Sequence, residues 1–262
     1  MMYVVQGKLC FKLTIVMKFG LAAVFSLTLL FHIEQASAQS KKEDSILYLT
    51  ALSHTISVYN NQLGDQTPLF NGSLYPGFPY NFREGSPYFL SDKATGGSSV
   101  VYDSMLFTDV SLLYDDLRQL VVAEDQGFRL QLRNARITSF TILNHRFIRI
   151  YLDSSYKGLP GNGYYEQLYP GRAGVLKRTT KEVREVLSVA EGPIRSIYTT
   201  YSYYIHIGGE WIHIKSRREL LNILKDRRKE IQRFIRKNDL NYKKDTDNTL
   251  VQVAGYYDQL AK

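Results

Sequence analysis

Chemistry in this chain has to come from histidines, carboxylates and lysines, because the usual nucleophile and metal signatures are missing. Beyond the N-terminal segment the histidines are His54, His145, His206 and His213. Gly208-Gly209 is a strong two-residue hairpin signal, and a turn there sets Ile207 opposite Glu210 and His206 opposite Trp211. Tyr204, His206, Trp211 and His213 then share one face. Two imidazoles fall short of the three or four ligands that zinc takes, so no metal is expected. The face reads as an ordinary half-exposed sheet surface, with the floor of a ligand groove as the functional alternative.

The carboxylates Asp103, Asp109, Asp115, Asp116, Asp153 and Glu166 stand near strand ends or loops. A glycosidase needs two such groups across a cleft, one with a raised pKa. Acids at strand ends more often bond local backbone N–H groups, and nothing in the spacing selects a pair. Gly96-Gly97-Ser98-Ser99 lacks the spacing of a strained nucleophile elbow. There is no H-E-x-x-H, P-loop or EF-hand loop, and no cofactor is expected.

The strongest charge feature is a basic helix expected over 216–237. Between Lys215 and Lys237 ten Lys or Arg stand against three Asp or Glu. The formal charge of the whole chain is only +8, so the basicity belongs to this segment, which argues against a nucleic-acid-binding surface. Lys225, Arg228, Lys229 and Arg236 group on one side and offer contact with an anionic polymer or surface. The interleaved Glu219, Asp226 and Glu230 fit a solvated face equally well.

These residues must be held by a mixed framework. Ile46, Leu49, Leu52, Ile56, Tyr59 and Leu63 recur at three- and four-residue steps, which predicts a helix over 44–63. Residues 65–99 carry Pro68, Pro76, Pro79 and Pro87 together with Phe70, Tyr75, Phe78, Tyr80, Phe82, Tyr88 and Phe89. Such a stretch is too aromatic for a disordered linker; it reads as a loop pinned by its own side chains, or one that touches a ligand. Residues 99–215 read as strands. Asp103-Ser104, Asn144-His145 and Gly208-Gly209 mark the turns, 154–174 reads as loop around a short run at 164–168, and one or two strands fall between Val175 and Val189. Past Ser216 the period becomes helical, with a last helix near 250–260 capped by Asp245, Thr246 or Asp247. The expected architecture is α+β: a curved antiparallel sheet of roughly eight strands with an N-terminal helix and a C-terminal helix pair. A transmembrane barrel fits badly, because several strands are too short and the final helices are polar.

The N-terminal segment predicts export. Lys18 supplies a positive start, residues 21–31 are almost wholly apolar, and Ala36-Ser37-Ala38 ends in small residues, the three-part pattern of a cleaved signal peptide over 1–38. The apolar run is shorter than the ~20 residues a spanning helix needs, so no transmembrane span is expected after cleavage. The single cysteine, Cys10, falls inside this leader. The expected mature chain, 39–262, is one domain without disulfides or a lipid-bearing cysteine, placed in the periplasm or secreted.

Leu69-Phe70-Asn71-Gly72, Gly85-Ser86-Pro87-Tyr88-Phe89, the block from Gly97 to Asp115, the basic segment from Lys215 to Asp245 and Tyr256-Tyr257-Asp258 together resemble a group of uncharacterised exported β-rich proteins of Gram-negative bacteria. The resemblance implies export and a single unit and attaches no activity to any residue. The functional expectation is an exported envelope protein acting as a non-catalytic binding or structural module, its partner an envelope component or anionic polymer. A hydrolase of an envelope or extracellular polymer is the alternative, and an adaptor for anionic surfaces through 216–237 is the second.

Overall fold

The computed structural model describes residues 68–260; the expected leader, the helix over 44–63 and His54 lie outside the described residues. One antiparallel sheet organises the described chain. Its strands are β1 (Ser73–Leu74), β2 (Thr95–Tyr102), β3 (Met105–Asp115), β4 (Leu120–Asp125), β5 (Phe128–Gln131), β6 (Ile137–Ile142), β7 (His145–Ile150), β8 (Gly163–Tyr169), β9 (Val175–Ser188), β10 (Gly192–Ile207) and β11 (Glu210–Ile214). They lie in the order β1-β5-β4-β3-β2-β6-β7-β8-β9-β10-β11. Two meanders are thus joined where β2 pairs with β6.

The turns reflect local chemistry. Asp103-Ser104 and Gly208-Gly209 both adopt positive φ at the tips of two-residue hairpins. The turn expected at Asn144-His145 sits one residue earlier, at Leu143-Asn144, and His145 is the first residue of β7. The asparagine takes the left-handed conformation as expected, and the shift moves the histidine from a turn into the ladder.

The described strands number eleven where roughly eight were expected. Ser73–Leu74 adds a short edge inside the aromatic loop, and Gly163–Tyr169 is a full strand inside the segment expected as loop. Its flanking prolines and glycines hid a Tyr-Tyr-Glu-Gln-Leu-Tyr run that pairs on both sides.

The sheet curls around its largest core. Tyr114 of β3 meets Phe140 of β6, Phe147 of β7 and Tyr164 of β8 at ring-centroid distances of 5.0, 5.0 and 5.8 Å. Strands far apart in the sheet order therefore face each other, and burial of these rings drives the curvature. Val100, Leu112, Val121, Ala123 and Leu132 are fully buried in the same core.

A second core lies under the C-terminal helices α1 (Arg217–Ile223), α2 (Arg228–Lys237) and α3 (Thr246–Leu260). The helix expected over 216–237 is broken at Leu224, which leaves helical geometry before a 3-10 turn at Lys225–Arg227. The break lets Leu220 and Leu224 on one side and Ile231 and Ile235 on the other all bury. Ser216 caps α1, accepting from the Glu219 N–H. Of the three candidate caps for the last helix, Asp245 bonds the Asn248 N–H. No helix among the described residues is long and apolar enough to cross a membrane.

Candidate functional site

A cleft of about 360 Å³ opens where the strap from Arg83 to Leu90 crosses β9 and β10. One end of the strap is tied to β10, with the Arg83 N–H bonded to the Arg195 carbonyl and the Ile197 N–H to the Glu84 carbonyl, both at 2.8 Å. Its other end is tied to β3, where the Phe89 N–H donates to the Tyr114 carbonyl at 2.9 Å. Between these anchors the strap spans the open side of the curled sheet, and Ser86, Phe89 and Leu90 form one wall of the cleft.

The floor comes from strand alternation. Lys177, Thr179 and Lys181 are two residues apart on β9, so they project from one face. They pair with Tyr203, Tyr201 and Thr199 of β10. His145 of β7, Asp116 just beyond β3 and Asp247 in the first turn of α3 complete the lining.

Two groups of charge result. In the first, His145 Nδ1 lies 2.5 Å from Glu166 Oε1. Glu166 Oε2 lies 3.5 Å from the Lys177 ammonium, which also donates to Asp247 at 2.6 Å. Tyr203 donates its hydroxyl to the other oxygen of Asp247 at 2.7 Å. Burial acts against the charge on Lys177, yet the bond to Asp247 and the field of Glu166 outweigh it and raise its pKa. The bond from Nδ1 to Glu166 fixes the imidazole and leaves its Nε2 as the free ring nitrogen.

In the second group, the Lys181 ammonium is 3.6 Å from Asp116 Oδ2 and donates to the carbonyls of Ser86 and Tyr88 at 2.9 and 2.8 Å. Burial raises the Asp116 carboxyl to about 6, and the nearby Lys181 charge only partly offsets this. Burial likewise lowers Lys181, with Asp116 opposing. Asp116 Oδ2 and Glu166 Oε2 are both buried and make no close hydrogen bond, but each is ion-paired with a lysine ammonium, Lys181 at 3.6 Å and Lys177 at 3.5 Å. The two lysine–carboxylate pairs set a charged floor beside the cleft.

The expected hairpin face forms with the register read from the sequence. His206 faces Trp211 and Tyr204 faces His213, with ring centroids 5.1 Å apart in each pair. Trp211 and Tyr204 pack on a small core containing Ile150, Leu159, Tyr165 and Leu176. The rings are thus used for packing, and the face lies outside the 360 Å³ cleft. Among the described residues no group of three or more His, Cys, Asp or Glu is placed to hold a metal.

The expected carboxylates separate by role. Asp103 pairs with Arg136 at 3.0 Å, and Asp153 accepts from the Ser155 N–H at 2.8 Å. Buried Asp115 takes the Tyr75 hydroxyl at 2.7 Å and the Arg118 N–H at 2.9 Å. Asp116 and Glu166 are the two that reach the cleft system. Sequence reasoning does not single out Lys177, Lys181, Tyr201 or Asp247; for the two lysines, their even spacing along one strand is the available signal.

The aromatic loop is pinned by its own rings. Phe78, Tyr80, Phe82 and Tyr88 meet at 5.2–6.3 Å, and the Arg118 guanidinium sits 3.8 Å over Phe78. The same rings, with strap residues 85–88, border a wider hollow of about 680 Å³. Lys225 lies in the 3-10 turn, while Arg228, Lys229 and Arg236 lie on α2, all exposed.

No family model, curated protein or solved structure matches this chain. The geometry of the cleft thus carries the functional reading.

Proposed function

We propose that this is an exported envelope protein of the periplasm or cell exterior whose curled sheet is a binding module, and that its ligand occupies the cleft beneath the strap. The supporting observation is a cleft of about 360 Å³ whose lining brings together Asp116, His145, Lys177, Lys181 and Asp247 from four separate parts of the chain. A lining of carboxylates, ammonium groups and an imidazole suits a ligand rich in hydroxyl or amine groups. The cleft volume falls in the ordinary range for small-molecule sites, about 300–1,000 Å³, and Phe89 and Tyr201 give an apolar flank. A short saccharide or amino sugar fits these demands, and envelope polymers are built of such units. The leader pattern over 1–38 supports export.

A hydrolytic role is the second reading, and one observation favours it. His145 is oriented by Glu166 as a general base is, and Asp116, raised to about 6, holds its proton in weakly acidic surroundings as a general acid must. An adaptor role through Lys225, Arg228, Lys229 and Arg236 is the third.

Saturation-transfer NMR with envelope saccharide fragments tests the first two readings together. Binding by the wild type that is lost in Asp116→Ala and in Lys181→Ala, with the saccharide recovered intact, supports the module. Cleavage that depends on His145 supports the hydrolase. Binding that survives both alanine variants unchanged sinks both readings.

A further inference from the structure

A second cavity, independent of the cleft, lies at the corner where β11 runs into α1 and the chain turns toward α3. It holds about 460 Å³, and its rim carries Lys215, Arg217, Arg218 and Lys243. Three of these flank the start of α1 and the fourth comes from the turn before α3, so folding gathers cations from two separate segments of the chain. None of the four side chains enters an ion pair among the described residues.

One carboxylate lies close, that of Glu219, and it is engaged with the backbone N–H of Lys215 at 2.9 Å. Four cations against one acid leave a strongly positive cavity. Tyr242 and Leu240 supply the remaining wall. Burial, reinforced by the Glu219 charge, raises the Tyr242 hydroxyl, so it keeps its proton and serves as a donor.

We infer that this cavity is a binding site for a phosphorylated organic molecule, with the phosphate among Lys215, Arg217, Arg218 and Lys243 and the organic part against Leu240 and Tyr242. Guanidinium forks match the oxygen spacing of phosphate and can hold it by two parallel bonds. A single carboxylate would leave most of the positive charge unmatched, and a bare phosphate would leave the apolar wall and most of the volume unused. The same phosphoester chemistry is found in soluble phosphate esters and in phospholipid headgroups.

Calorimetric titration of the folded protein with inorganic phosphate and with phenyl phosphate, and flotation with phosphatidylglycerol and phosphatidylcholine vesicles, tests the site. Phenyl phosphate is expected to bind at least tenfold more tightly than inorganic phosphate and to weaken as salt rises. Arg218→Ala with Lys243→Ala should lose at least tenfold in affinity, whereas Arg133→Ala with Arg146→Ala, two exposed cations outside the cavity, should match the wild type. Binding of phosphatidylglycerol vesicles without binding of phenyl phosphate assigns the site to a headgroup. Binding of neither probe overturns the inference, and so does an equal loss in the two double variants, since that would report general basicity and not this cavity. Circular dichroism melts of both variants separate lost binding from lost folding.

Discussion

Lys177 stands directly across the β8–β9 ladder from Glu166, and its ammonium bridges that buried carboxylate at 3.5 Å to Asp247 on α3 at 2.6 Å. One side chain thereby fastens the sheet to the last helix and balances a carboxylate that is 3 % exposed. Removing one partner of a buried pair strands the other charge, at a cost of about 3–5 kcal/mol. Lys177→Met should therefore lower the melting temperature by about 6–20 °C, at roughly 2–4 °C per kcal/mol for a domain of this size. Adding Glu166→Gln should recover a large part of that loss. A single variant that melts with the wild type would show that the bridge carries no weight.

Stability should respond to pH through Asp116. Its folded carboxyl sits at about 6 against an ordinary value of 3.8, so between these limits the folded state binds more protons than the unfolded chain. This group's contribution is most favourable below about pH 4, is lost as pH rises toward 6, and is flat above. The size is on the order of 1–3 kcal/mol, after allowance for its coupling to Lys181. Unfolding free energies from urea titrations should fall by that amount more between pH 4 and pH 7 in the wild type than in Asp116→Asn. Parallel profiles would contradict the assignment.

Lys181 holds the strap. Its two bonds to the carbonyls of Ser86 and Tyr88 are charge-assisted, and each such bond contributes about 1.5–3 kcal/mol. In Lys181→Met the amides of Phe89 and Leu117, which tie the strap to the end of β3, should exchange hydrogen at least tenfold faster, while those of Val121 and Ile205 should not change. Uniform protection in the variant would mean that the aromatic contacts alone suffice.

Packing weight is very uneven along the chain. Tyr114→Ala empties the centre of the curled core and should cost about 3–5 kcal/mol. Leu187→Ala, at a site 80 % exposed near the β9–β10 tip, should fall within about 0.5 kcal/mol. Chemical denaturation of the two variants measures the contrast.

Much of the framework is legible in the sequence because turn chemistry is local. Asp103-Ser104 and Gly208-Gly209 fix their hairpins, and the second also fixes which residues face each other across it. The β8 strand is hidden by the prolines and glycines around it, since its pairing partners lie on β7 and β9 and leave no mark in its own neighbourhood. The break at Leu224 is hidden for the opposite reason: the helical period of the apolar residues carries through it. The cleft is the least legible part. Asp116 is one of several acids at strand ends, and only the curl of the sheet distinguishes it from Asp103. The sequence pattern puts His145 in a turn, and a shift of one residue carries it into β7, within reach of Glu166. Lys177 and Asp247 are 70 residues apart in the chain and meet only because α3 packs on the sheet.

The histidines offer the most direct test of where a ligand sits. His145 lines the cleft, whereas His206 and His213 lie on the β10–β11 hairpin outside it. Their imidazole resonances can be followed together by NMR while envelope saccharide fragments are added. The binding account predicts that the His145 signals move with ligand and that those of His206 and His213 stay in place; movement of the hairpin pair with His145 unchanged would contradict it.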